Sequence, residues 1–193
     1  MKNTLIITAG LMLAIAFISC NKDKDNKPTP PVTGTKEIVV NFSNTAPFTF
    51  FSFKDSSIVL NTDSTSSKWD FGIRRSTFLV NSNSSGPGSG GVIIQNGLFN
   101  DISTAPINGY AYDTTTSQRA IKDVNGIWYN YNSLTHNFDP IAGKVFVFKT
   151  SDGAHYAKME LLTVEYVPFA GQVPNQLTYK FRFSYQGDGS VNF

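Results

Sequence analysis

One cysteine, two histidines and three methionines in 193 residues leave little soft-ligand or redox chemistry. A lone Cys20 forms no disulfide within the chain, so an exported body has to stand on its hydrophobic core. Charge is sparse as well. Sixteen Lys and Arg against fourteen Asp and Glu give a net charge of +2, scattered without a basic stripe. Nucleic acid is excluded as a partner, because neutralising a phosphate backbone takes clustered cations. No serine elbow, no histidine pair at metal spacing and no cysteine placed for attack is present, so the residues point to no enzyme. Asp101, Asp113, Asp139 and Glu165 are isolated carboxylates without an acid–base pattern. The glycine-rich Ser84 to Gly91 runs into Val92-Ile93-Ile94 rather than Lys-Ser and a helix. It is no phosphate loop and reads as a flexible or bulged connection. Convincing amphipathic helices are missing too.

What is present begins at the N-terminus. Lys2 precedes an apolar run from Leu5 to Ile18, broken only by Thr8 and Gly10, that ends in Ser19-Cys20. The run is too short to span a bilayer comfortably and reads as a secretory leader. Phe17-Ile18-Ser19-Cys20 resembles a lipobox, with a small residue before the cysteine and Phe17 in place of the usual leucine. The expectation is a signal over residues 1–19, lipidation of Cys20, and a tether over residues 20–35 whose Asn21 to Lys27 and Pro28-Thr29-Pro30-Pro31 cannot build a core. An uncleaved anchor and an incidental cysteine are the alternatives. Lys22 to Asp25 looks like a short surface-sorting signal of Gram-negative lipoproteins, or is a solvated linker. The anchor implies a protein confined to a membrane surface.

Residues 36–193 read as one all-β domain, antiparallel and sandwich- or barrel-like. Ile38 to Phe42, Thr49 to Phe53, Ser57 to Leu60, Trp69 to Val80 and Gly91 to Gln95 are β-branched and aromatic runs between Gly, Asn, Asp, Ser and Pro clusters. Lys144 to Thr150 and Tyr156 to Val164 form a hairpin around Ser151-Asp152-Gly153. Alternation puts Ala157, Met159 and Leu161 on one side with His155, and Tyr156, Lys158 and Glu160 on the other. The last strand alternates Tyr179, Phe181, Phe183 and Tyr185 against Lys180, Arg182 and Ser184. Gln186 to Asn192 is a turn, and the uneven strand lengths argue against a transmembrane barrel.

Three stretches in this order resemble the HmuY family of haem-binding outer-membrane lipoproteins. They are Lys68-Trp69-Asp70-Phe71-Gly72-Ile73-Arg74-Arg75 with the glycine-rich Ser84 to Gly91; Trp128-Tyr129-Asn130-Tyr131 through Thr135-His136 and Pro140 to Gly143-Lys144-Val145-Phe146-Val147; and Thr150 to Gly153, Tyr156 to Met159 and Tyr179 to Phe183 before Asp188-Gly189-Ser190. The resemblance implies a compact all-β fold and capture of haem or a related ligand at the cell surface, in concert with a TonB-dependent outer-membrane receptor. It implies two axial iron ligands, histidines in some members and methionines in others. Aligned on Gly143 to Val147, one axial position falls at or near Asn132, a poor iron ligand, and the segment that carries the other is abbreviated between Asp113 and Gly126.

Beyond the leader and Cys20, His136, His155 and Met159 are the soft or imidazole side chains left, with tyrosines as harder ligands. His136 follows Trp128, Tyr129 and Tyr131, whose ring faces suit stacking on a porphyrin or a sugar, so His136, Tyr129 and Tyr131 are the candidate cofactor-binding residues. The plainer reading, and the one the residues favour, is a Trp128 that packs the core and a His136 that caps a loop. Met159 reads as core filler, His155 as a hairpin histidine, and Trp69-Asp70 as a buried indole beside a carboxylate satisfied by backbone or Arg74. A second functional reading keeps the fold and gives the Trp128 to Tyr131 surface a glycan, a peptide or a protein partner.

Overall fold

A computed structural model describes residues 29–135, 137–166 and 175–193. The leader, Cys20, His136 and residues 167–174 lie outside the described residues. Among the described residues eleven strands follow one another: β1 Val32–Asn41, β2 Thr49–Ser52, β3 Ser57–Val59, β4 Phe71–Arg74, β5 Thr77–Val80, β6 Gly91–Asn96, β7 Tyr129–Asn132, β8 Asn137–Pro140, β9 Lys144–Lys149, β10 Tyr156–Tyr166 and β11 Gln176–Gln186. One sheet has the order β1-β11-β10-β9-β6, a second β3-β2-β4-β5, and β7-β8 is a separate hairpin. All pairings between these strands are antiparallel. The expected all-β antiparallel fold is what forms, as a two-sheet sandwich.

Phenylalanine joins the sheets. Phe51, Phe53, Phe71 and Phe78 from one face meet Phe146, Phe148, Phe181 and Phe183 from the other, with ring centroids 5.1–6.0 Å apart. At about 1.5–3 kcal/mol per fully buried large apolar side chain, this double layer is the principal stabilising term, as a chain without disulfides requires. Met159 and Trp128 are buried in the same core. Tyr179, Phe181, Phe183 and Tyr185 of β11 are all buried as expected, against half-buried Lys180 and Arg182, but the alternation ends at Ser184, which is buried as well.

Three features were not read from the sequence, and each has a physical cause. β1 starts at Val32, and residues 32–35 pair with residues 182–185 instead of extending the tether. The Trp69 to Val80 run is a hairpin, reversed at Arg75-Ser76 with Arg75 at φ +51°, a left-handed conformation that a side chain rarely adopts. β9 is buried on both faces, because Val145 and Val147 pack outward against Phe99 and Ala105 while Phe146 and Phe148 face the sandwich. The segment around Phe99 to Ala105 is itself tied to the C-terminal residues, Ala105 N–H donating to Val191 O at 2.8 Å and Phe193 N–H to Ser103 O at 2.8 Å. This cover explains why Lys158 and Glu160, on the outward face of β10, are only 5% and 7% exposed. Lys158 Nζ donates to Phe99 O and Ile102 O, both at 2.8 Å, and Glu160 pairs with Arg182.

Two buried carboxylates pin distant segments. Asp70 accepts from Phe53 N–H at 2.7 Å and Ser151 N–H at 2.8 Å, tying the end of the small sheet to the β9–β10 turn. Arg74 is not its partner; its guanidinium donates to Ala46 O and lies over the Phe48 ring. Asp113 accepts from Val80 N–H, Ala120 N–H and Ser85 Oγ, with Arg119 alongside. The glycine-rich stretch packs against this frame: a Cβ at Gly88 would lie 2.7 Å from Asn81 O and 2.9 Å from Ser151 O.

Candidate binding site

Trp128-Tyr129-Asn130-Tyr131 leads into and along β7, where alternation sends successive rings to opposite sides. Trp128 and Tyr129 are buried, and Tyr131 is 40% exposed. Trp128 meets Phe78 at 5.3 Å and Tyr129 at 4.4 Å, so the indole plugs one end of the sandwich. Tyr129 is held edge-on to Phe138 at 5.0 Å, and its hydroxyl donates to Asp123 Oδ1 at 3.0 Å. Burial, followed by the neighbouring Asp123 carboxylate, pushes the Tyr129 hydroxyl up to about 12. Of the three candidate cofactor residues, Tyr129 therefore serves the core, Tyr131 stands on the hairpin 5.4 Å from the Phe138 ring, and His136 lies outside the described residues.

The other soft side chains are committed elsewhere. His155 Nδ1 is 2.6 Å from Asp152 Oδ2 at the β9–β10 turn, its ring 6.1 Å from Tyr185. Met159 is fully buried, opposite Phe146 and Phe183 in the ladder. Among the described residues no group of three or more His, Cys, Asp or Glu is placed to hold a metal ion.

Sequence reading missed Arg75, which sits at the same end of the fold. Its N–H donates to Asn41 O, and its carbonyl accepts from Tyr179 Oη at 2.5 Å. The guanidinium carbon lies 4.9 Å from the Phe42 ring centre and 5.9 Å from that of Phe138. Tyr166 packs on Phe42 at 6.1 Å, and burial pushes its hydroxyl up to about 12. A polar cleft of about 290 Å³ opens at the opposite end, lined by Lys54, Asp55, Lys68, Asp70, Asp152 and Tyr185 among others. There, burial raises Asp70 to about 6 against the opposing backbone donors.

The family model for HmuY protein matches residues 44–181. The chain belongs to the HmuY family. No curated protein matches it. Among solved structures, the apo HmuY analog of Tannerella forsythia superposes with a TM-score of 0.50 at 16% identity, covering 81% of this chain and 98% of that one. At that identity the likeness establishes the HmuY-type sandwich and nothing about its ligand. Haem held as in a bis-axial HmuY site needs two opposed soft side chains. His155 is bound to Asp152 and Met159 is sealed in the core, so the described residues do not fit such a pair.

Proposed function

We propose that this chain is a lipid-anchored binding protein of the outer membrane that captures haem or a related flat ligand at the cell surface and passes it to a TonB-dependent receptor. Membership of the HmuY family over residues 44–181 carries this reading, and the lipobox-like Phe17 to Cys20 supports the anchor. Acyl chains bury about 0.8 kcal/mol per methylene, so a multiply acylated Cys20 is held on a membrane essentially permanently. Because the described residues offer no axial pair, retention rests on ring faces and on His136 as the remaining imidazole beyond the leader. Every core residue lies between Ile38 and Phe193, so the chain from Asn21 onward is a fair test object. Haemin titrated into it is expected to give a saturable, shifted Soret band lacking the signature of two strong protein ligands; an unchanged free-haemin spectrum rejects haem.

A second reading is favoured by the burial of Tyr129 and the commitment of His155 and Met159. In it the chain is an accessory subunit that recognises a glycan, a peptide or a protein partner. Gentle detergent extraction separates the two: an accessory subunit brings its complex with it in the absence of haem, and a free monomer counts against it.

A further inference from the structure

Arg75 combines three features that a merely structural arginine would not need. It occupies a left-handed position at φ +51°, where glycine would be unstrained. Its Nε is buried with no hydrogen-bond partner among the described residues. Among the described residues no carboxylate lies within ion-pair distance of it, and its guanidinium lies against the rings of Phe42 and Phe138. Asp123, which the neighbouring residues Ser76 and Thr77 hold at this end of the fold, is engaged by Ser76 Oγ, Thr77 Oγ1 and Tyr129 Oη. Asp139, on β8, adds one more negative charge to this end of the fold. Trp128 Nε1, in the same aromatic cluster, is a second buried donor without an acceptor among the described residues. A half-buried guanidinium presents a planar fork of donors matched to a carboxylate, and its charge stays on at any working pH.

We infer that Arg75, caged by Phe42 and Phe138 at the end of the sandwich, is the docking point for the carboxylate of a planar apolar ligand. The inference deepens the proposed function, since it assigns the acidic edge of such a ligand to one side chain. The apolar body is received by the rings around the guanidinium, and the exposed Val124, Ile127 and Tyr131 of the neighbouring β7 region extend that surface. Desolvation by the rings strengthens the ion pair, and the fork fixes which edge of the ligand enters first.

The test uses a fluorescent probe without iron, 1-pyrenebutyrate, beside its uncharged analogue 1-pyrenebutanol, with the chain from Asn21 onward. Arg75→Gly removes the guanidinium and leaves a residue at ease with a positive φ, so the variant is expected to fold; its circular dichroism and melting curve are recorded first. Wild type should bind pyrenebutyrate about tenfold or more tightly than pyrenebutanol, the ratio that one charge-assisted bond supplies. Arg75→Gly should bring the ratio to about one, and Arg75→Lys should restore part of it. Equal binding of both probes by wild type, no binding of either, or a ratio untouched in Arg75→Gly each overturns the assignment. Pyrenebutyrate binding without any haemin binding would retire haem as the ligand and leave the role of Arg75 standing.

Discussion

Replacing Asp70 with asparagine should flatten the pH profile of stability in one window and direction. The Asp70 carboxyl is 4% exposed, and burial raises it from 3.8 to about 6 although Ser151 and Phe53 N–H groups favour its charged form. A raised folded-state value means that the native protein holds this proton more tightly than the unfolded chain does. The group's contribution is therefore full below about pH 4 and is lost as pH rises through about 6. Roughly two pH units at about 1.4 kcal/mol each give a loss of about 3 kcal/mol. Urea unfolding at pH 4, 5, 6 and 7, followed by the fluorescence of fully buried Trp69, would measure it in both proteins. The stability of wild type minus that of Asp70→Asn should fall by about 3 kcal/mol between pH 4 and pH 7. Asp70→Ala, which leaves both N–H groups without an acceptor, should cost about 2–6 kcal/mol at pH 4. A wild type minus asparagine difference that is constant, or that grows with pH, refutes the reasoning.

Gly88→Ala forces a methyl against the carbonyls of Asn81 and Ser151, neither of which can rotate away. It should cost about 1–3 kcal/mol, seen as a Tm lowered by several degrees, and an unchanged Tm would speak against the packing. Lys158→Met removes the ammonium and leaves Phe99 O and Ile102 O unpaired, a cost of about 1–3 kcal/mol. Amide exchange at Ala105 and Phe193 should quicken in that variant, whereas unaltered protection would show that Lys158 does not hold this cover. Asp152 behaves oppositely to Asp70. Burial alone would raise it, but the Ala154 N–H, the Thr150 hydroxyl and His155 outweigh burial and hold it at about 2. Its contribution is present above the ordinary carboxylate value and disappears as pH falls through about 2, so Asp152→Asn should reduce the loss of stability between pH 4 and pH 2.

Side-chain periodicity carried most of the fold. β11 could be read from Tyr179, Phe181, Phe183 and Tyr185 because a half-buried strand has a period of two, and Met159 was legible as core for the same reason. The β7–β8 hairpin escaped, since Tyr-Asn-Tyr-Asn has the composition of a loop and is a strand only because Trp128 anchors it to Phe78. Lys158 and Glu160 fell on the correct face, yet that face is covered by a segment more than fifty residues away, which no local pattern announces. The hydrogen bond from Ser151 N–H to Asp70 joins residues 81 apart and is equally silent in sequence. At the candidate site, the aromatic run drew the eye to Tyr129 and Tyr131. Arg75 did not stand out, because its distinction lies in a backbone angle and in partners it lacks.

The antiparallel pairing of Val32 with Tyr185 and of Asn41 with Gln176 sets a polarity for the whole particle. The chain enters the sandwich beside the Asp70 cleft and travels the length of β1, about 30 Å at some 3.3 Å per residue, before reaching Asn41, where Arg75 is bonded. On the proposed function, attachment and capture would then occupy opposite poles, and a body moored through residue 20 would offer its aromatic pole to incoming cargo without turning that pole toward its own mooring.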